Sequence, residues 1–141
     1  ELQAAMGRKV LPLVAKEQQA RKKIREQYTH LLQNTKGIQV VTLPDSATAS
    51  EQYFCIRICA SEFGESRDQV HERMRASNIF TRKYFYPLVS DYPCYSALPS
   101  ASRDSLCQSR KAAMEVLCLP LYGLLSSSDI QTIVNVLKNG A

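Results

Sequence analysis

Residues 52–59 carry the clearest alternation in the chain. Phe54, Ile56 and Ile58 fall on one side; Tyr53, Cys55, Arg57 and Cys59 fall on the other. A period of two gives a strand one apolar face. That face must be covered by a second layer, and the chain supplies helices to do it. Ile130, Ile133, Val134 and Leu137 recur at helical spacing near the end of the sequence. Ser126 precedes them as an N-cap, and Asp129 stands at N3, where its carboxylate can bond back to the cap amide. Gly140 is the expected stop. Over residues 66–77, Val70 and Met74 lie at i and i+4, with Asn78 as the stop.

Residues 2 to about 33 also read as helix. Leu2, Met6, Val10, Leu13, Val14, Ile24, Tyr28, Leu31 and Leu32 recur mostly three, four or seven apart. Pro12 interrupts this pattern and must kink the helix or begin a new one, because proline cannot donate to the ladder. Between Val14 and Ile24 the stripe nearly vanishes, so that stretch should face solvent or a partner. Lys36-Gly37 is the expected end, with Gly37 at C′. Residues 38–43 and 79–85 read as further strands, 44–50 and 90–102 as loops, 103–117 as helix and 118–122 as extended chain. The order α-β-β-α-β-α-α contains no repeat. It predicts an α+β fold: a small antiparallel or mixed sheet of about three strands, covered by helices on one face.

Composition narrows the class. The chain has 141 residues, 45% apolar and 22% charged, the ordinary globular balance. A disordered tail and a collagen-like chain are excluded. No apolar run reaches the ~18 residues that span a bilayer; the longest, 116–125, contains Pro120 and Gly123. The net charge of +5 suits an anionic ligand, but a solvated helix face with Arg21, Lys22, Lys23 and Arg25 explains it as well. The five cysteines have no CxxC spacing. Cys55 and Cys59 read as small buried residues, and reduced cytoplasmic thiols are the expectation. His30 and His71 sit on polar helix faces with no Cys or Asp partner apparent in sequence, and read as surface residues. HExxH, P-loop, GxGxxG and nucleophile-elbow motifs are missing, and five glycines cannot build a phosphate cradle. No metal site is expected.

One patch stands out. Thr81-Arg82-Lys83-Tyr84-Phe85-Tyr86-Pro87-Leu88 joins two cations to three aromatics at a strand end. Arg82 and Lys83 can meet an anion, and tyrosine hydroxyls can bond sugar or phosphate oxygens. The same aromatics could equally be a cover for the domain edge.

Here the sequence resembles the DegT/DnrJ/StrS family, the pyridoxal-phosphate-dependent nucleotide-sugar aminotransferases. Glu1-Leu2-Gln3-Ala4-Ala5-Met6-Gly7 is similar to the family's "ELQAAIG" helix start. Ile79-Phe80-Thr81-Arg82-Lys83-Tyr84-Phe85-Tyr86-Pro87-Leu88 is similar to its "R-x-H-Y-x-P-L-H" stretch and resembles a subgroup with "RKYFYPL". Val116-Leu117-Cys118-Leu119-Pro120-Leu121-Tyr122, then Leu125-Ser126 and Asp129, are similar to "VLxLPLYxxLSxxD". Arg21 falls where the family usually has arginine. The sequence departs at Tyr84 and Val89, where histidine is common in the family.

The resemblance implies the C-terminal small domain of a fold-type I aminotransferase, with residues 1–36 as a long kinked helix leading from a missing large domain and 37–141 as the small domain. It implies a cytoplasmic, homodimeric parent enzyme that moves an amino group, usually from glutamate, onto a nucleoside-diphosphate keto-sugar in deoxyamino-sugar or surface-polysaccharide synthesis. Its cofactor is pyridoxal 5′-phosphate. The Schiff-base lysine and the aspartate on the pyridine nitrogen lie upstream in the family. None of Lys9, Lys16, Lys22, Lys23, Lys36, Lys83, Lys111 or Lys138 sits in a matching context. The chain begins without a methionine or cap and reads like a cut through a helix. The expectation is therefore a piece with no catalytic residue of its own, inactive alone, holding no cofactor, with Arg82, Tyr84 and Tyr86 lining the substrate pocket. Neither nucleic acid nor membrane is an expected partner. The alternatives are a basic binding module, for nucleic acid for instance, or a bare dimerisation domain that exposes apolar surface.

Overall fold

The computed structural model describes residues 1–44, 46–102 and 104–139. Its elements are α1 (Leu2–Val10), a 3-10 turn (Leu11–Leu13), α2 (Val14–Leu32), β1 (Ile38–Val40), β2 (Phe54–Ile58), α3 (Ala60–Phe63), α4 (Arg67–Ala76), β3 (Arg82–Lys83), α5 (Cys107–Glu115), β4 (Val116–Leu119) and α6 (Ser127–Lys138). Two more 3-10 turns, Val89–Asp91 and Pro99–Ala101, punctuate the long connection before α5.

The sheet has four strands in the order β1-β2-β4-β3, all antiparallel. The expected count of three was one short. Val116 and Leu117, which the sequence suggested as the end of a helix, open β4, an interior strand. An unbroken apolar run does not distinguish a buried strand from a buried helix. The expected start of the preceding helix, Arg103, lies outside the described residues; α5 begins at Cys107.

The expected alternation holds. Phe54, Ile56 and Ile58 are buried, and Leu117 and Leu119 join them from β4. Ile24, Tyr28 and Leu32 of α2, Val70 and Met74 of α4, and Ile130, Ile133, Val134 and Leu137 of α6 cover that face. Tyr28 stacks on Phe54 with ring centroids 4.9 Å apart, and its hydroxyl donates to the Pro120 carbonyl at 3.2 Å. The Ser126–Asp129 capping box forms as expected, and Ser66 with Gln69 makes a second one. Gly140 lies outside the described residues.

Pro12 ends α1 through the 3-10 turn, and α2 starts two residues later. Leu2, Met6, Leu11 and Leu13 are exposed. Helix α2 ends at Leu32, so Gly37 is not its C′ residue. Gly37 instead makes the turn into β1 with φ +75°. A methyl group there would collide with the Phe63 backbone. The strand expected over 79–85 shrinks to Arg82–Lys83. Asn78 (φ 57°) and Phe85 (φ 43°) are both left-handed and bound the segment at either end, where extended chain must stop.

The basic cluster is not a uniformly solvated face. Arg21 binds Glu17 at 2.9 Å, and Arg25 binds Glu51 at 2.6 Å and donates to the Tyr53 carbonyl at 3.1 Å. Glu17 also accepts from the Gly123 amide at 2.8 Å. These bonds lash α2 to the entry of β2 and to the turn before α6. Lys22 and Lys23 remain exposed.

Candidate functional site

The edge strand β3 leads into the cation- and tyrosine-rich segment. Arg82 stands opposite Cys118 of β4, and Lys83 opposite Leu117. Directly opposed residues share a face. Arg82 therefore lies on the side away from the helical core, in one row with Cys118 and Cys55. It is exposed and makes no ion pair or hydrogen bond among the described residues.

Tyr84 packs edge-on against Tyr53, with centroids 5.4 Å apart, and against Phe85 at 4.2 Å. Burial, then the nearby Cys55 and Cys118 thiols, push its phenol up from the usual tyrosine value. It is therefore held as a neutral hydroxyl, able to donate. Tyr86 is the odd member of the expected trio. Its ring lies under the Arg67 guanidinium (5.2 Å to the centroid) and near the Lys83 ammonium (5.6 Å). Arg82 and Tyr84 share Cys118 as a neighbour, whereas Tyr86 belongs to the α4 flank. The turn between them places Phe85, a bulky residue, in the left-handed region. Such strain costs roughly 1–2 kcal/mol and persists where packing over-determines it, commonly at functional segments.

Arg67 was not anticipated. It is 1% exposed, bonds Asp68 at 2.7 Å and the Val116 carbonyl at 2.9 Å, and leaves one guanidinium nitrogen without a hydrogen-bond partner. The Tyr86 ring face supplies that charge with a cation–π contact instead. The sequence held one hint: a cation immediately after an N-cap opposes the helix dipole and needs a compensating reason. Its burial arises from β4, which sequence reasoning placed partly in a helix.

Asp68 ties the segment down. It accepts from Lys83 at 2.7 Å and from Arg67. The Lys83 bond, then the Arg67 bond, hold its carboxyl below the usual value. The folded state thus favours the ionised form. The stabilisation is present above the unfolded carboxyl value of about 3.9 and is lost as pH falls through the folded value. Thermal melts of Asp68→Asn and the unsubstituted protein should differ above pH 4 and converge at lower pH. Curves that stay parallel throughout would remove Asp68 from this role.

Two expectations need correction. His71 is only partly exposed rather than a free surface residue, because its Nδ1 lies 2.7 Å from Thr81 Oγ1 and fastens α4 to the start of the segment. Cys55 and Cys59 are half-buried; Cys118 is the buried cysteine. His30 is exposed as expected. Among the described residues there is no cluster of metal-ligating side chains, and no helix is long and apolar enough to cross a membrane.

Fold and site define a two-layer α+β domain whose edge strand opens into a cation- and tyrosine-bearing turn. The sequence pattern of the DegT/DnrJ/EryC1/StrS aminotransferase family matches residues 1–138. The chain belongs to that family. It is 38% identical over 137 residues to the dTDP-4-amino-4,6-dideoxy-D-glucose transaminase of Escherichia coli, covering 97% of this chain and 37% of that protein. The protein of the same name from Shigella dysenteriae is 32% identical over 111 residues, 79% of this chain and 29% of that one. The crystal structure of DesI in the presence of its TDP-sugar product superposes with a TM-score of 0.88 at 26% identity, over 96% of this chain and 34% of that chain. The chain thus spans about a third of the length of these relatives.

Proposed function

We propose that this chain is the C-terminal part of a pyridoxal-phosphate-dependent sugar aminotransferase, with residues 1–36 as the connecting helix and 37–141 as the small domain. The parent transfers an amino group, with glutamate as donor, onto a nucleoside-diphosphate keto-sugar in deoxyamino-sugar or surface-polysaccharide synthesis. The match to the family over residues 1–138 supports this reading.

Arg82 offers the planar fork that pairs with a phosphate or diphosphate. Its lack of a partner among the described residues leaves that fork available. The neutral Tyr84 hydroxyl donates to a sugar or phosphate oxygen, and Tyr86, its ring held by the Arg67 and Lys83 cations, offers its own hydroxyl as well. The Asp68 bridge and the Arg67 contact hold the segment in place and so limit the entropy lost on binding.

The chain's own residues do not fit the cofactor. Schiff-base chemistry needs a lysine whose amine is desolvated and free to attack. Lys83 is bound to Asp68, Lys138 donates to the Leu31 carbonyl at 2.8 Å, and Lys9, Lys16, Lys22, Lys23, Lys36 and Lys111 are exposed. The reading therefore assigns cofactor attachment to the rest of the parent. The exposed apolar side of α1, with Leu2 and Met6, is assigned to packing against that remainder or a second subunit of a homodimer.

The test is a transamination assay with cofactor, glutamate and a nucleoside-diphosphate keto-sugar. The full-length parent should turn over and the 141-residue chain should not. Turnover by the short chain would overturn the division of labour, and an inactive but folded, cofactor-loaded parent would overturn the activity.

A further inference from the structure

Cys55 and Cys118 stand directly opposite each other on β2 and β4. The Cys55 carbonyl accepts from the Val41 amide at 3.0 Å, on the β1 side. In an antiparallel ladder both backbone groups of a residue point to the same neighbour, so toward β4 the two cysteines form a non-hydrogen-bonded pair. This is the closer kind, with Cα atoms about 4.5 Å apart, inside the roughly 4.4–6.8 Å that a disulfide spans. The Sγ atoms are 3.4 Å apart and unbonded. Side-chain rotation alone can close the remaining gap.

We propose that Cys55 and Cys118 are a redox-active dithiol that closes to a cross-strand disulfide when oxidised by a peroxide. Burial divides the roles: Cys55 is half-exposed and Cys118 is buried. The hydrogen bond from Cys118, with the Arg25 charge nearby, draws the Cys55 thiol below its usual value, while the same bond and burial push Cys118 up. Cys55 is the attacking sulfur. Its thiolate forms an S–O bond as the O–O bond of hydrogen peroxide breaks, and the departing hydroxide takes a proton to become water. Cys118 sulfur then attacks the Cys55 sulfenic sulfur. The S–S bond forms, the S–O bond breaks, and the hydroxyl leaves as a second water with the Cys118 proton. Two thiols and one peroxide give one disulfide and two waters; the sulfurs lose two electrons and the peroxide gains them.

No other cysteine pair is in hydrogen-bond contact among the described residues; Cys59 meets Ser61, and Cys94 and Cys107 are exposed. The inference rests on strand register and stands whether or not the adjoining Arg82 segment meets a substrate.

The experiment treats the reduced full-length protein with stoichiometric hydrogen peroxide, blocks free thiols with iodoacetamide and digests it without reductant for mass spectrometry. A peptide pair joining Cys55 to Cys118 should appear, lighter by two hydrogens than the separate peptides, and vanish with dithiothreitol. Cys118→Ser should instead accumulate a sulfenic acid at Cys55 that dimedone traps. The link should survive Cys94→Ser with Cys107→Ser. Alkylation of both Cys55 and Cys118 after oxidation, or a link through Cys94 or Cys107 in their place, would overturn the proposal. The unsubstituted protein decides the matter even where a variant fails to fold.

Discussion

Phe54→Ala is expected to cost about 3–5 kcal/mol of folding stability, the range for removing a large buried aromatic side chain. Phe54 is 0% exposed, stacks on Tyr28 of α2, and pairs across the ladder with Leu119. It therefore joins the two layers where α2 meets the interior of the sheet. Truncation removes the transfer energy of the ring and leaves a cavity that neighbours on two strands and a helix can only partly fill. Most natural domains have only about 5–15 kcal/mol to lose. Phe54→Leu keeps most of the apolar volume and should cost well under half as much. Urea unfolding of both variants checks this. Equal, small losses would mean that the ring is not confined as described. Tyr53 and Cys55 flank Phe54 on the other face, so the alanine variant should also loosen the support beneath Tyr84.

On the proposed reading of Arg82 as a substrate contact, Arg82→Ala should act in the opposite manner, weakening substrate binding while stability stays within about 0.5 kcal/mol. Arg82 is exposed and has no partner among the described residues, so its loss leaves nothing buried and unpaired. A hydrogen bond to a charged group is worth roughly 1.5–3 kcal/mol, which corresponds to a rise of about 10- to 150-fold in KM for the nucleotide sugar. Arg82→Lys keeps the charge but loses the fork and should fall between. Steady-state kinetics of the full-length enzyme with a melting curve for each variant provides the measurement. An unchanged KM would take Arg82 out of the binding segment. A large fall in melting temperature would mean that its role is structural.

The contrast between these two positions also separates what could be read early from what could not. The alternation through Phe54, Ile56 and Ile58, the Val70–Met74 pair, the Ser126 cap and the stripe of α6 were legible because their causes lie within a few residues of chain. Side-chain period and terminal capping are local physics. The cation–tyrosine segment was legible as composition. Its geometry was not: the lateral placement of Tyr86 and the anchoring of Lys83 involve Arg67 and Asp68, which come from α4.

Local pattern alone required a half-buried strand, helices to cover it, and a cation- and tyrosine-rich segment at a strand end. Long-range packing settled that residues 116–119 are a strand between β2 and β3, that Arg67 is buried, that Arg25 turns toward Glu51, and that Cys55 faces Cys118. The reason is the distance along the chain. An apolar run such as Val-Leu-Cys-Leu satisfies either a buried helix or a buried strand. The choice is made by backbone hydrogen bonds to residues some sixty positions away, which no local pattern encodes.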